Sequence, residues 1–514
     1  MKLLHHMQIT RTWILRSIAF TRTISTSNTQ PTMDYENWTK EELISRLRSL
    51  EDKNGIEPAE TPRKRKGPRD NFDFSKFPQR KVAFKFSYFG WPYYGLARQG
   101  NALGSEEKQK QEDQYPTIEG ELFKALAHCK LITGESECDY SRCGRTDRGV
   151  SGFGQVIALY VRSVGKFITQ EEADQLDESQ KHLVTCDEFN QGKLVLLPEN
   201  ERELPYVNML NKLLPQEIRI LAWAPVKPEF SARFSCKSRF YRYFFNQDGL
   251  DIEAMKQAAT KYLGTHDFRN FCRLDPAKQI KNFERTVLDI AITPVPSKVS
   301  FIGEASSMEG KWWQLELHGT AFLWHQVRCM MAILFAVGQG LESPDVIDQL
   351  MDVQATSGKP EYEMASDLPL VLADCVFDKN DVDWIYVRNP GRDLGSMATL
   401  DRSILKMWSE LNTQAVISSA LLQNLRDMMV PQPVENASDQ GPMKLWRECR
   451  QQLLDEEKVT KSILGAGMIK HSKAYKPILS RKRADPVELR NQAWLERKGA
   501  NKRARSDTDK ALDE

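Results

Sequence analysis

The sequence predicts an α+β fold in which a largely antiparallel β-sheet carries helices on one face. Segments with the two-residue period of strands and segments with the helical period follow one another through the middle of the chain. These transitions lack the glycine-rich phosphate-binding turn that opens many parallel βαβ units. The chain has 514 residues, of which 40% are apolar, so it can bury a large core.

Composition limits the classes of protein to which the chain can belong. The mean hydropathy is −0.53 and 28% of the residues are charged, which predicts a globular middle with polar additions. Nine cysteines occur without paired CxxC spacing. This pattern argues against a disulfide framework and a cysteine-rich zinc site, and it favours a reducing compartment. No stretch approaches about 18 uninterrupted apolar residues, so we expect no membrane span.

Five regions are predicted along the chain. They are an N-terminal extension (1–33), a segment with an amphipathic helix and a basic linker (34–79), an N-terminal half of the core (80–228), a C-terminal half (229–430) and a partly helical, basic extension (431–514). Within these regions the amphipathic helix covers 34–53, an acidic insertion covers 165–203, and a loop covers 431–442. The extension 1–33 has basic residues, no acidic residue and many Ser and Thr. That composition is typical of a mitochondrial targeting segment, although an extension ahead of a second start at Met33 explains it equally well.

The N-terminal half is predicted from clear local patterns. KVAFKFSYFG (81–90) alternates apolar and polar residues, which indicates a strand. Residues 116–132 open with Pro-Thr and keep an apolar face, which indicates a helix. A strand follows at 155–162, and 206–226 contains a helix and then a strand.

The C-terminal half begins with a basic, aromatic segment and ends with helices. In order, we predict a strand pair (230–246), a helix (251–268, ending at Gly264), a strand (311–319), a helix apolar on most sides (321–340), and a helix with Ser343 as N-cap and Pro344 at its first position.

One short stretch, SRCGRTDRGVSG (141–152), has the composition of a catalytic loop. It places the single carboxylate of Asp147 among Arg142, Arg145 and Arg148. Neighbouring guanidinium groups favour the ionised carboxylate, which can attack an electrophilic carbon or remove a proton. Gly144 and Gly149 also allow a sharp bend and a close approach by a ligand. The alternative interpretation of the same residues is a surface turn that is held by an Asp–Arg ion pair.

Two further stretches support a site. RFYRYFF (239–245) combines Tyr241 with arginines on a predicted strand, which suits base stacking on RNA, although a buried aromatic strand is equally compatible. AFLWHQVR (321–328) places His325 and Arg328 at the start of an apolar helix. A buried arginine requires an anionic partner, and Asp147 is the candidate; the alternative is that Arg328 points to water.

These motifs, in this order, identify a resemblance to a known family. GRTDRGVSGFGQV, RFSCKSRFYRY and FLWHQVR resemble the three signature motifs of the TruA-type tRNA pseudouridine synthases. HDFRNFC (266–272), PLVLADCVF (369–377), YKPILSRKR (475–483) and Ser151 resemble the eukaryotic branch that acts on tRNA positions 38 and 39. The resemblance covers roughly residues 80–430.

The resemblance implies roles for individual residues. Asp147 would be the catalytic aspartate and Arg328 its partner. Tyr241 would be catalytic as well, packing on the target uracil and serving in proton transfer. Arg145 would contact the tRNA and hold the place of the flipped-out uridine. Arg142 and His325 would belong to the substrate-binding residues.

The resemblance also implies the fold, the partners and the reaction. We expect two ferredoxin-like halves that form one continuous sheet with helices on one face and a central cleft. We expect no cofactor and no metal, the tRNA anticodon stem-loop as substrate, and a homodimer. The alternatives are a synthase with other tRNA or mRNA targets, and a non-catalytic tRNA-binding module.

Location is predicted from the basic runs at 63–69 and 498–505 and from the N-terminal segment. The runs fit nuclear import or extra RNA contacts, and they fit a solvated linker and tail equally well. We expect the protein in the nucleus and cytoplasm and, through residues 1–33, also in the mitochondrion.

Overall fold

The computed structural model describes most of the core and little of the chain's ends. The described residues are Thr39, Ser45 and the ranges 72–98, 114–247, 249–295, 312–386, 394–429 and 460–498. Two compact units are present, Met1–Phe72 and Asp73–Glu514. In the first unit only Thr39, Ser45 and Phe72 are described, and Ser45 is helical. The predicted targeting segment, the rest of the predicted helix 34–53, both basic runs apart from Lys498, and the predicted loop 431–442 lie outside the described residues.

The second unit contains strands and helices throughout its described length. The strands are β1 (Gln79–Tyr88), β2 (Ser141–Arg142), β3 (Ser151–Arg162), β4 (Lys166–Ile168), β5 (Val184–Cys186), β6 (Leu194–Leu196), β7 (Ile218–Pro225), β8 (Ser238–Asn246), β9 (Gly264–Asp267), β10 (Glu284–Pro294), β11 (Trp312–Gly319), β12 (Leu370–Val376), β13 (Ile385–Tyr386), β14 (Thr460–Gly465) and β15 (Met468–Ser472). The helices are α1 (Ile118–His128), α2 (Gln170–Asp174), α3 (Glu178–Lys181), α4 (Tyr206–Asn211), α5 (Ile252–Thr260), α6 (Gln326–Gly338), α7 (Val346–Met351) and α8 (Leu394–Met429), and the chain is helical again over 487–498.

One large, mainly antiparallel sheet organises this unit, which confirms the predicted α+β class. Among the described residues its strand order is β13-β7-β1-β3-β12-β8-β11-β10-β9, and β2 also pairs with β3. The pairing of β3 with β12 is parallel and is made by Ser151 with Val371 and Gly152 with Leu372. The other pairs in this sheet are antiparallel. The parallel pair therefore joins the strands of the first half to those of the second.

Three apolar clusters fix the sheet and its helices. One cluster packs Phe84 and Phe86 of β1 against α1 and α4. A second cluster surrounds α6, in which Gln326 and every position from Cys329 to Gly338 are buried, and it includes Tyr243 and Phe245 of β8. A third, smaller cluster contains Ala83 and Leu372. Burial of α6 on nearly all sides explains why its sequence has no polar face.

Most elements of the N-terminal half agree with the sequence predictions. The strand near 81–90 and the strand near 155–162 are present as β1 and β3, and β3 begins four residues earlier than predicted, at Ser151. The side chain of Thr117 accepts a hydrogen bond from Gly120 N, so it is the N-cap of α1. The insertion 165–203 is folded: β4, β6 and β5 form a small sheet. Its Asn190 forms two hydrogen bonds with the backbone of Gln79.

The C-terminal half differs from the predictions in several places. The predicted strand pair at 230–246 is wrong, because backbone turns occupy the residues before Ser238 and β8 alone is a strand. The helix at 251–268 ends earlier, since Gly264 has φ of 97° and starts β9. The last helix, α7, begins at Val346 with Asp345 as N-cap, so Ser343 and Pro344 lie in the turn before it. Within the described residues, no helix is long and apolar enough to cross a membrane.

Candidate active site

The loop between β2 and β3 is held in place by the segment that follows β1. Tyr88 Oη and Thr146 Oγ1 are 2.7 Å apart and share a hydrogen bond. Leu96 N donates to Thr146 O, and Gly149 N donates to Tyr93 O. Gly149 has φ of 79°, and a Cβ atom there would lie 2.9 Å from Asp367 Oδ2. A glycine is therefore required at this position for both its backbone conformation and its close packing.

Asp147 projects from this loop and is held by two consecutive residues that precede α6. Trp324 Nε1 donates a hydrogen bond to Asp147 Oδ1 over 3.0 Å. His325 Nε2 lies 3.4 Å from the other carboxylate oxygen, Oδ2. His325 has a left-handed backbone with φ of 62° and is the N-cap residue of α6. Each oxygen of Asp147 thus has one aromatic nitrogen beside it.

Opposing effects act on the proton affinity of Asp147. Burial is the largest effect and raises the pKa of the carboxyl above its usual range, and Asp367 adds to this. The positive charge of Arg328, the hydrogen bond from Trp324 and the charge of Lys278 lower the pKa and offset part of that increase. The net result is a carboxyl that takes up a proton at a higher pH than a free aspartate does.

His325 is a neutral neighbour of Asp147 rather than its cationic partner. Burial, followed by the charges of Arg328, Arg273 and Lys359, lowers the pKa of His325 to about 4. At neutral pH the ring is therefore uncharged, and it can donate to Asp147 only as the tautomer that carries its proton on Nε2. Its other nitrogen, Nδ1, is buried and has no hydrogen-bond partner among the residues that the structure describes.

Arg328 does not form the direct ion pair with Asp147 that the sequence analysis expected. Its Nε donates to Ala365 O over 2.8 Å, and Ala365 N donates back to Arg328 O. Among the described residues, no lysine or arginine nitrogen lies within 4 Å of the Asp147 carboxylate, and the basic side chain within that distance is the uncharged His325. The segment before β12 orients the guanidinium group of Arg328 through the hydrogen bond from Nε to Ala365 O. The positive charge of Arg328 still lowers the pKa of Asp147, but it does so without direct contact.

The three arginines of the loop do not surround Asp147 as their spacing suggested. Arg142 forms an ion pair with the buried Glu119, which also accepts a hydrogen bond from Tyr140 Oη. Arg148 lies with its guanidinium carbon 4.2 Å from the ring centre of Tyr94. Arg145 is exposed. The arginines next to Asp147 in sequence therefore support the loop or face solvent. The groups that shift the pKa of Asp147 most, such as Arg328 and Trp324, come from distant parts of the chain.

The register of the sheet aligns Tyr241 on β8 with Gly152, which lies at the start of β3 just after the Asp147 loop. Tyr241 on β8 is opposite Leu372 on β12, and Leu372 is opposite Gly152 on β3. Two strand spacings of about 4.8 Å separate Tyr241 from Gly152. On the other side, Gly152 is opposite Tyr88, whose hydroxyl group contacts Thr146. The strand register therefore brings Tyr241 close to the residues next to Asp147.

The residues just before α6 connect Tyr241 to Asp147. Phe322 packs edge-on against Tyr241 with 5.1 Å between the ring centres, and Trp324 binds Asp147 two residues later. Burial raises the pKa of Tyr241 well above its usual range, so the phenol stays protonated. One short segment thus contacts both residues that the sequence analysis placed at the centre of the site.

The sequence analysis did not identify Trp324, which lies within the quoted motif FLWHQVR. A tryptophan packed in a protein usually donates its indole N–H to an acceptor, and this property could have predicted a hydrogen bond from Trp324. Arg273 and Lys278, with side-chain cations 4.8 Å and 5.2 Å from the ring centre of Trp324, were also missed. They are distant in sequence, and no local pattern marks them as neighbours of Asp147.

No group of three or more His, Cys, Asp or Glu side chains that could hold a metal ion occurs among the described residues. What the site offers is a partly buried carboxylate with two nitrogen neighbours, nearby cations and an adjacent aromatic surface. Such a group can act as a nucleophile or as a base.

Comparisons with known proteins connect this chain to RNA modification. Residues 258–378 match the family described as "tRNA pseudouridine synthase". The chain is 37% identical over 432 residues to the Homo sapiens protein named tRNA pseudouridine(38/39) synthase, and the match covers 83% of this chain and 79% of that protein. It is 41% identical over 370 residues to the Saccharomyces cerevisiae protein of the same name, with 68% and 73% covered. It is 29% identical over 353 residues to tRNA pseudouridine synthase A of Methanothermobacter thermautotrophicus, with 68% and 98% covered.

Proposed function

Because this chain belongs to the TruA-type tRNA pseudouridine synthase family, in its eukaryotic branch, we propose that it converts uridine to pseudouridine at positions 38 and 39 of tRNA. The observation that carries the proposal is the environment of Asp147. The loop containing GRTD presents this carboxylate to Trp324 and His325, which belong to the third motif. Tyr241 of the second motif packs against Phe322, which also belongs to the third motif. The first and third motifs thus meet at one carboxylate, and the second motif packs against the third.

The reaction requires a carboxylate that is ionised and fixed in position. The bond between ribose carbon 1 and uracil nitrogen 1 breaks, the base rotates, and carbon 5 forms the new bond to the ribose. Carbon 5 then loses its proton and nitrogen 1 gains one, so the product is an isomer of the substrate. The uridine must first leave its stack, which costs a few kcal/mol and less beside a loop than inside a duplex. Asp147 then attacks the sugar, attacks the base, or removes the ribose 2′ proton.

The other site residues have supporting roles in this proposal. Tyr241 packs on the uracil and holds the free base while it turns; its raised pKa keeps the hydroxyl protonated. Arg145 is exposed on the loop, where it can contact tRNA phosphates. His325 contributes a neutral ring beside Oδ2 of Asp147. Arg142 acts indirectly, because its ion pair with Glu119 supports the loop.

We also propose that the core consists of two ferredoxin-like halves, 80–228 and 229–430, with helices on one face and the cleft between the halves. Strand order supports this proposal. When the insertion strands β4 to β6 and the outer strands β9 and β13 are left out of the numbering, β7-β1-β3-β2 follow the order 4-1-3-2 within the first half, and β12-β8-β11-β10 follow the same order within the second. The helix α5 follows the first strand of the second half, and α6 follows its third.

A homodimer is the proposed assembly. Helix α8 exposes Ile404, Leu411, Leu422 and Leu425, each at least 38% accessible. Spacings of four and three residues connect Ile404, Trp408, Leu411, Ala415, Ser418, Leu422 and Leu425. This is the repeat of a helix that pairs with another helix, and a second copy of α8 satisfies it. Light scattering should report a dimer that Leu422→Glu dissociates; a monomeric wild-type protein contradicts this assembly.

For location we propose the nucleus and cytoplasm, with residues 1–33 also directing some of the protein to mitochondria. The lack of acidic residues and the four Lys and Arg residues in that segment support this proposal. Microscopy of the full chain and of a chain that starts at Met33 provides the test. Mitochondrial signal that persists without residues 1–33 contradicts the role of this segment.

The proposed activity is tested by mapping pseudouridines on unmodified tRNA after incubation with the protein. We expect new pseudouridine at positions 38 and 39. Product at other uridines instead would support a synthase with other targets. Tight tRNA binding without any product would support the non-catalytic binding module.

A further inference from the structure

We propose that Trp324 is a positioning residue for the reaction: its indole N–H fixes Oδ1 of Asp147 and leaves Oδ2 as the oxygen that reacts. This inference rests on the proposed pseudouridine synthase activity. The contact is direct, because Nε1 lies 3.0 Å from Oδ1. Oδ2 has the weaker neighbour, His325 Nε2 at 3.4 Å. The two oxygens of the carboxylate are therefore not equivalent.

The indole is itself held in place from several directions. The backbone of Trp324 is fixed first, because Arg273 N donates to Trp324 O over 2.9 Å. The side-chain cations of Arg273 and Lys278 lie near its ring. The following residue, His325, has a left-handed backbone, and its ring lies 4.7 Å from the indole. A donor fixed in this way needs little reorganisation when the substrate binds, which is the property of an effective catalytic environment.

The chemistry of the indole makes this contact specific for ionised Asp147. Indole nitrogen only donates hydrogen bonds, so it stabilises the carboxylate and offers nothing comparable to the carboxylic acid. Hydrogen bonds to charged groups are roughly twice as strong as those between neutral groups. Trp324 is one of the groups that lower the pKa of Asp147 against the effect of burial. Its removal should therefore weaken the ionised state.

A different role for Trp324 must be separated from this one. Its side chain is 37% exposed, and an exposed aromatic ring beside cations can stack on an RNA base. Trp324→Phe separates the two roles, because it keeps an aromatic ring and removes the N–H group. Trp312→Phe is the matched control: Trp312 is 42% exposed at the start of β11. Its indole forms no hydrogen bond with another residue in the described ranges.

The test is single-turnover pseudouridine formation across a range of pH. Trp324→Phe should lower the rate by about tenfold to a hundredfold, as expected when a charged group loses a hydrogen bond. The acid limb of its pH profile should move to higher pH, while tRNA affinity and melting temperature stay near the wild-type values. Trp312→Phe should match the wild type. Replacement of Trp324 alone by benzothienylalanine, which has the same shape but no N–H, should reproduce the Phe result.

Two outcomes overturn the inference. The first is a wild-type rate in Trp324→Phe. The second is a slower rate with an unmoved acid limb, which would assign Trp324 to substrate stacking. A wild-type protein that forms no pseudouridine at any pH would instead refute the proposed activity, so the two failures are distinguishable.

Discussion

At the scale of single residues, burial and charge act on Asp147 in opposite directions. Burial raises the pKa of the carboxyl, and Arg328, Trp324 and Lys278 lower it. Arg328 does this without contacting the carboxylate, because its Nε is bonded to Ala365 O. Only the ionised form can serve as a nucleophile or a base. The protonation of Asp147 should therefore set the lower pH limit of activity.

This balance predicts the pH dependence of the reaction. Activity should be present above the pKa of Asp147 and lost as the pH falls through it, at a pH above the usual aspartate value of about 3.9. Arg328→Gln removes the positive charge and should move the acid limb to higher pH. Arg328→Lys keeps the charge and should leave the limb near its wild-type position. The rate profile of the three proteins is the measurement, and identical limbs in all three would contradict an electrostatic role for Arg328.

At the scale of elements, the C-terminal hairpin completes the core around α6. Ser366 N donates to Leu464 O over 2.7 Å. Tyr243 Oη donates to Ser366 O over 3.0 Å, and Ile463 N donates to the side chain of Gln339 at the end of α6. These bonds connect β14 to the segment before β12, which also contains Asp367. The hairpin therefore stabilises the segment before β12, whose Asp367 packs against Gly149 of the Asp147 loop.

Two glycines of this hairpin offer a matched pair of variants. Gly465 has φ of 87°, and a Cβ there would lie 2.5 Å from Tyr243 Oη. Gly467 has φ of 74°, and a Cβ there would have no atom of the described residues within 4 Å. Gly467→Ala should lower the free energy of unfolding by about 1–2 kcal/mol through its backbone conformation. Gly465→Ala should cost about 1–3 kcal/mol more through overpacking. Denaturant titration measures the difference, and equal losses would contradict the packing of this hairpin on Tyr243.

Local patterns predicted some elements and not others. The strand β1 and the helix α1 were predictable, because alternation and an N-cap are visible in the sequence. Asp147 and Tyr241 were identified in the same way, from residue types in short stretches. The sequence pattern did not lead us to β10, α8 or the hairpin of β14 and β15. The pairing of Arg328 was wrong and Trp324 was missed, because both depend on side-chain geometry between distant segments.

At the scale of the whole molecule, the site depends on both halves of the sheet. Asp147 comes from the loop before β3, and Trp324 and Tyr241 come from the second half. The halves meet where β3 pairs with β12 at Ser151 and Gly152, a few residues after Asp147. Neither half contains the whole site, so catalysis requires the folded core.

The surface around this junction should bind tRNA mainly through charge. The net charge of the chain is only +2, but Arg145, Arg273 and Lys278 lie on or near the Asp147 loop. Affinity should therefore fall steeply as salt is added, as it does for proteins that neutralise several phosphates. Arg145→Ala should reduce the slope of log affinity against log salt by about 1. Filter-binding titrations at several salt concentrations test this, and a flat salt dependence would contradict it.

The most direct measurement of the central claim is tritium release from C5 of labelled uridine in tRNA by Asp147→Asn, compared with the wild type. The substitution keeps the size of the side chain and removes its charge. We predict no release above background, together with tRNA affinity within about a factor of a few of the wild type, since most of the affinity comes from phosphate contacts. Release at a rate close to that of the wild type would show that another group performs the chemistry and would contradict the role assigned to Asp147.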